Sequence, residues 1–141
     1  MSSRRKRSKQ PEPHLTFFLD QGLGRYDVSA AVTSCGFVSL PAHKVYPDAG
    51  HTPVDDDVWI RRCATEGWIA LTKDTAILRH HKDVLEGSGL RIFAFDSAKL
   101  TGQMMAERFS FHAGRIAARS RQDGPFVDVL HTRKIERRWP K

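Results

Sequence analysis

Three aspartates in this chain stand at or just beyond the end of an apolar run: Asp20 closes "LTFFLD", Asp96 closes "RIFAFD", and Asp74 follows "WIALTKD". A carboxylate at the end of a buried strand is costly unless something compensates it. Several gathered together repel one another, because like charges a few ångströms apart cannot all ionise cheaply. A hard divalent cation removes that difficulty. Mg2+ and Mn2+ take oxygen ligands, and carboxylate-held ions of this kind activate water and stabilise a departing oxygen in phosphodiester hydrolysis. Taken singly, each aspartate reads more simply as a turn former or helix cap. What separates the two readings is whether the fold brings these acids together.

The surrounding pattern predicts that it does. "HLTFFLD" reads as a first strand, and "GRYDVSAAVTSCG" as a helix with Val28, Ala31, Val32 and Cys35 on its inner face and Gly36 beyond its end. "FVSL" is a second strand, and "PAHKVYPDAGHTPV" is a loop. "DDDVWIRRCATEG" reads as a helix whose acidic start suits the N-terminal end of the macrodipole. Capping accounts for one acid there, not for three. "WIALT" and "LRIFAF" are further strands, separated by a short helix, and a long helix follows from about Leu100 to Arg121, for which Asp96 is a candidate N-cap. "FVDVL" reads as the last strand. Strands alternating with helices predict a three-layer α/β/α fold around a largely parallel sheet. In such sheets sites form beyond the carboxyl ends of the strands. Asp20, Asp74 and Asp96 are therefore expected along one edge, with Asp56 and Asp57 facing it from the intervening helix and Asp55 more exposed.

A chain of 141 residues is long enough for one domain with its own core. The domain is expected over 14–132, after a basic arm (1–13, "MSSRRKRSKQPEP") read as disordered and before a basic tail (133–141). Cys35 and Cys63 have no zinc-finger or CxxC spacing and read as reduced thiols, which points to the cytoplasm. No apolar stretch reaches the ~20 residues of a membrane span, and the N-terminus lacks the apolar middle of a signal peptide. With 23 Lys and Arg against 16 Asp and Glu, the net charge of +7 makes a polyanionic partner plausible. Arg108, Arg115 and Arg119 lie at helical spacing and are candidate contacts to a nucleic-acid backbone, with an ordinary solvated face as the alternative. Arg25, close after the first acid, is a better candidate. The adjacent His80 and His81 are assigned no role, since neighbours on a helix point in different directions.

The acids in "FFLDQGLG" and "DDVWIRRCATEGWIALTKD", with its G-x-x-x-x-T-x-D ending, resemble the PIN-domain superfamily and, within it, the compact toxins of the VapC type. The likeness is clear from about Leu15 to Ile77 and weaker in "LTGQMMAERF" and "GPFVDVL". It implies an endoribonuclease dependent on Mg2+ or Mn2+, the toxin of a toxin–antitoxin pair, with a cognate antitoxin protein and an RNA substrate as partners. Homodimers are common in that family. Carried over residue by residue, the family's acids fall on Asp20, Asp56 and Asp74, with Thr72 as the accompanying hydroxyl; Asp96, the weakest member of the strand-end set, is expected in a supporting place from that pattern alone. The helical Glu that larger members carry between the first and third acids is missing here. Asp57 is the candidate substitute, which leaves one ion or two equally open.

Rival classes remain. A basic α/β module that binds RNA or protein without catalysis would use the same acids as caps. A phosphoacceptor domain would need an acidic pair at the first strand's end, where "LDQG" offers one acid, and a DxD phosphatase would need an acid where Gly22 stands.

Overall fold

A computed structural model describes residues 15–50 and 52–141. The basic arm expected over 1–13 lies outside the described residues. Six strands form one sheet in the order β2-β1-β3-β4-β5-β6: β1 (Thr16–Leu19), β2 (Val38–Pro41), β3 (Ile69–Thr72), β4 (Arg91–Phe95), β5 (Phe126–Leu130) and β6 (Ile135–Trp139). The first five run parallel, and β6 pairs antiparallel with β5. The helices are α1 (Asp27–Ser34), α2 (Ala42–Val45), α3 (Asp56–Glu66), α4 (Ile77–Glu86) and α5 (Gly102–Ser120).

The central strands are apolar throughout because both of their faces are covered. Phe17 and Leu19 of β1 pack with Val28 and Val32 of α1 and with Met105, Phe109 and Ile116 of α5. Phe18 points the other way, onto Ala42, Trp59, Ile60, Cys63 and Ile77 from α2, α3 and α4. This is the three-layer α/β/α arrangement, with α1 and α5 on one face and α2, α3 and α4 on the other. Gly67 ends α3 in the left-handed region, at φ 76°, where a Cβ would be strained.

Three local expectations are corrected. The segment after β2 is not wholly loop: α2 and a 3-10 turn (Pro47–Ala49) occupy it. Asp96 does not cap the long helix, because that helix begins later and Thr101 caps it, its hydroxyl accepting from the Met104 N–H at 3.1 Å. "FVDVL" is not the last strand. Residues 135–139, within the basic segment 133–141, form β6, with Ile135 buried and the Arg137 guanidinium over the Phe126 ring at 4.5 Å.

Candidate active site

Parallel strands end on the same side of a sheet, so Asp20 after β1, Asp74 after β3 and Asp96 after β4 share one edge. The register makes the first two close neighbours. Leu19 sits opposite Leu71, and the Asp20 N–H donates to the Leu71 carbonyl at 3.0 Å, one step before Thr72. Thr72 is buried, and its hydroxyl donates to Asp20 Oδ2 at 2.8 Å while accepting from the Asp74 N–H at 3.1 Å. One side chain therefore ties the first acid to the backbone of the third.

Asp20 Oδ1 accepts from the Gln21 N–H at 2.7 Å, at the start of a 3-10 turn. Asp74 Oδ1 accepts from the Ala76 N–H at 2.9 Å, which holds the carboxylate over the turn into α4. Asp56, in the first turn of α3, accepts from Trp59 Nε1 at 2.9 Å on Oδ1, and its Oδ2 lies 3.2 Å from His81 Nε2. A carboxylate oxygen has two lone-pair sites, so these bonds orient the acids and still leave acceptor capacity.

Charge completes the description. The Asp20 carboxyl is pushed above the usual aspartate value, chiefly by burial and further by the negative charges of Asp56 and Asp74, against the opposing bonds from Thr72 and Gln21. Asp56 and Asp74 thus both act on Asp20 through their charge. Among the described residues, no three of Asp, Glu, His and Cys are drawn together into a ready-made metal cage. The donor set is instead open and built of carboxylate oxygen. It fits an ion that binds through one or two carboxylates and keeps several waters, as Mg2+ does.

The other expected residues divide. Asp57 is exposed, and it projects about 100° around α3 from Asp56. Asp55, also exposed, forms no side-chain cap. Asp96 is held by Arg108, and its Oδ2 lies 3.4 Å from His131 Nδ1. Arg108 also donates to Thr132 Oγ1 at 3.1 Å. Arg119 meets the fully buried Asp128 at 2.8 Å, and Arg115 donates to His112 Nδ1 at 2.8 Å and to the Arg133 carbonyl at 3.2 Å. Arg25 is exposed in the turn before α1.

Two side chains at the site were not assigned from sequence. Trp59 could have been, since it follows Asp56 at the i,i+3 spacing of helix neighbours. His81 could not. It reaches Asp56 from another helix at a residue whose backbone leaves the helical region, at φ −130° and ψ 24°.

A family profile described as "PIN like domain" matches residues 15–97, a span that contains Asp20, Asp56, Thr72 and Asp74. A Mycobacterium tuberculosis (strain ATCC 25618 / H37Rv) protein named "Putative ribonuclease VapC45" is 31% identical over 123 residues, covering 85% of this chain and 88% of that protein. No solved structure matches.

Proposed function

This chain belongs to the PIN-like domain family, and from that premise we propose that it is a metal-dependent endoribonuclease, the toxin of a toxin–antitoxin pair. The observation that carries the reading is the Thr72 hydroxyl, which ties the Asp20 carboxylate to the Asp74 backbone at one sheet edge, with the charges of Asp56 and Asp74 adding to the difficulty of ionising Asp20. Similarity to a relative named as a ribonuclease supports the substrate class.

In this reading Asp20, Asp56 and Asp74 hold Mg2+ or Mn2+, and Asp57 is a second-ion candidate at the rim. Bound there, the ion supplies Lewis-acid chemistry, lowering the pKa of water and polarising a phosphodiester. The chain's own part is orientation. Thr72 fixes Asp20 relative to Asp74, Trp59 and His81 fix Asp56 from both of its oxygens, and the Ala76 N–H fixes Asp74. Arg25, exposed close after Asp20, is the phosphate contact of the four arginines first considered. Arg108, Arg115 and Arg119 serve the fold through the partners described above. A cognate antitoxin would cover the acidic edge, with a guanidinium suited to pair the carboxylates. Among the described residues no helix is long and apolar enough to cross a membrane, and we place the protein's action in the cytoplasm. A homodimer is compatible with this reading.

The test is RNA cleavage by the purified chain with Mn2+ and with EDTA. Asp20→Asn and Asp74→Asn should each lower the Mn2+-dependent rate by at least ~100-fold, the scale of losing a group that positions a catalytic ion. A second reading, a non-catalytic module whose acids cap turns, draws on the Asp74–Ala76 bond. Unchanged cleavage and Mn2+ binding in both variants would favour it.

A further inference from the structure

Positive charge on this molecule is unevenly engaged. Along α5, Arg108, Arg115 and Arg119 all have internal partners. On α4 the situation differs. Arg79 and Lys82 flank the break at His81, and both are exposed. Among the described residues neither side chain has a carboxylate within ion-pair distance.

These two cations line a hollow of about 440 Å3 together with Thr75, Ala76, Leu78 and Arg138. Arg138 reaches it from β6, its charge partly offset by Glu136 at 3.1 Å. No acidic residue lines the hollow. Three cations facing one space repel one another, and a bound polyanion removes that cost. The position of the hollow identifies which polyanion. Thr75 and Ala76 follow directly on Asp74, and the Ala76 N–H is the group that holds the Asp74 carboxylate at 2.9 Å. One wall of the hollow is therefore the same turn that presents the third acid.

We propose that this hollow seats a backbone phosphate of the RNA next to the one at the carboxylates, leading the strand across α4 toward β6 and away from α5. The inference rests on the ribonuclease reading and adds to it the path of the substrate. Arg79 and Lys82 act here as positioning residues, through the phosphate and not on the reacting atoms. Leu78, the larger of the two apolar residues in the lining, offers a surface for sugar or base beside the phosphate.

The experiment compares the full chain with its Arg79→Ala/Lys82→Ala form, using a short fluorescein-labelled single-stranded RNA. Fluorescence anisotropy in EDTA reads affinity at several salt concentrations, and cleavage in Mn2+ reads kcat and KM. The expected result is weaker binding with a salt slope smaller by roughly 0.7 for each cation removed, and a rise in KM that exceeds any fall in kcat. Lysine at position 79, as Arg79→Lys with Lys82 intact, should keep the slope, and Arg115→Ala should leave it unchanged. An unaltered slope and KM in the double variant, in a chain that cleaves RNA, would overturn the proposal. So would selective loss of an acidic protein ligand such as polyglutamate with RNA affinity retained. Absence of Mn2+-dependent cleavage by the unaltered chain would instead count against the ribonuclease reading, and the two failures are read from different arms.

Discussion

Thr72 makes two bonds with one hydroxyl, and the geometry of the acidic edge depends on both. Replacing it with valine keeps the volume and leaves an Asp20 oxygen and the Asp74 N–H without their partner. Thr72→Val should cost about 1–3 kcal/mol of stability and lower cleavage further than Thr72→Ser, which keeps the hydroxyl; thermal melts and Mn2+-dependent rates check the two effects. Asp20 carries a pH signature of its own. Its pKa is raised in the folded chain above the ordinary value of 3.8, so the folded state binds this proton more tightly than the unfolded state does. Its contribution to stability is then complete below the unfolded value and is lost as pH rises through the folded one. Without metal, the chain should lose stability over that interval, and Asp20→Asn should remove this part of the curve. Glu136, held down to about 2 by Arg138 and His131, acts with the opposite sign. The quantity to read is therefore the difference between the parent chain and Asp20→Asn in melts with EDTA. Added Mn2+ should raise the parent's melting temperature near neutral pH and not that of Asp20→Asn, since a ligand of the folded state stabilises it.

At the scale of elements, α5 and β6 are fastened to β5 through one buried carboxylate. Asp128 is fully buried and lies between Arg119 of α5, at 2.8 Å, and Arg137 of β6. Removing one partner of a buried ion pair leaves a charge without full compensation. Arg119→Ala should therefore destabilise the chain by about 3 kcal/mol, read by urea unfolding, while RNA affinity stays the same. A nucleic-acid contact at Arg119 would give the reverse pattern. This cluster also marks the boundary of what the sequence makes legible. Apolar runs bounded by glycine and proline disclose β1, β3, β4 and β5, because buried parallel strands are apolar on both faces. The inner face of α5, with Met105, Phe109, His112 and Ile116, follows from helical spacing, and all four are buried. By contrast β6 reads "IERRW", whose polar composition resembles a tail, because Arg137 is satisfied by Asp128 and the Phe126 ring, partners that only the fold supplies. The acids were visible as strand-end residues. Their neighbours were visible only in part: Trp59 lies one helical turn from Asp56, whereas His81 arrives through a break in α4 that no local pattern announces.

For the whole molecule, the sheet separates two kinds of positive charge, one engaged in the fold and one facing solvent beside the acidic edge. Arginines on the α5 side are consumed in holding layers together, and the cations of α4 face solvent beside Asp74. A chain organised in this way can draw a polyanion by its net charge of +7 and still present carboxylates at the point of chemistry. If it acts as a toxin, expression without an antitoxin should arrest growth, and Asp74→Asn should relieve the arrest; the growth curve of the two strains checks this. Convergence of the three aspartates on a divalent cation is the central claim. It is tested most directly by crystals grown with Mn2+ and measured for anomalous scattering. The account predicts a Mn2+ peak bounded by the carboxylates of Asp20, Asp56 and Asp74. No peak there at saturating Mn2+, or a peak held by other residues alone, would contradict it.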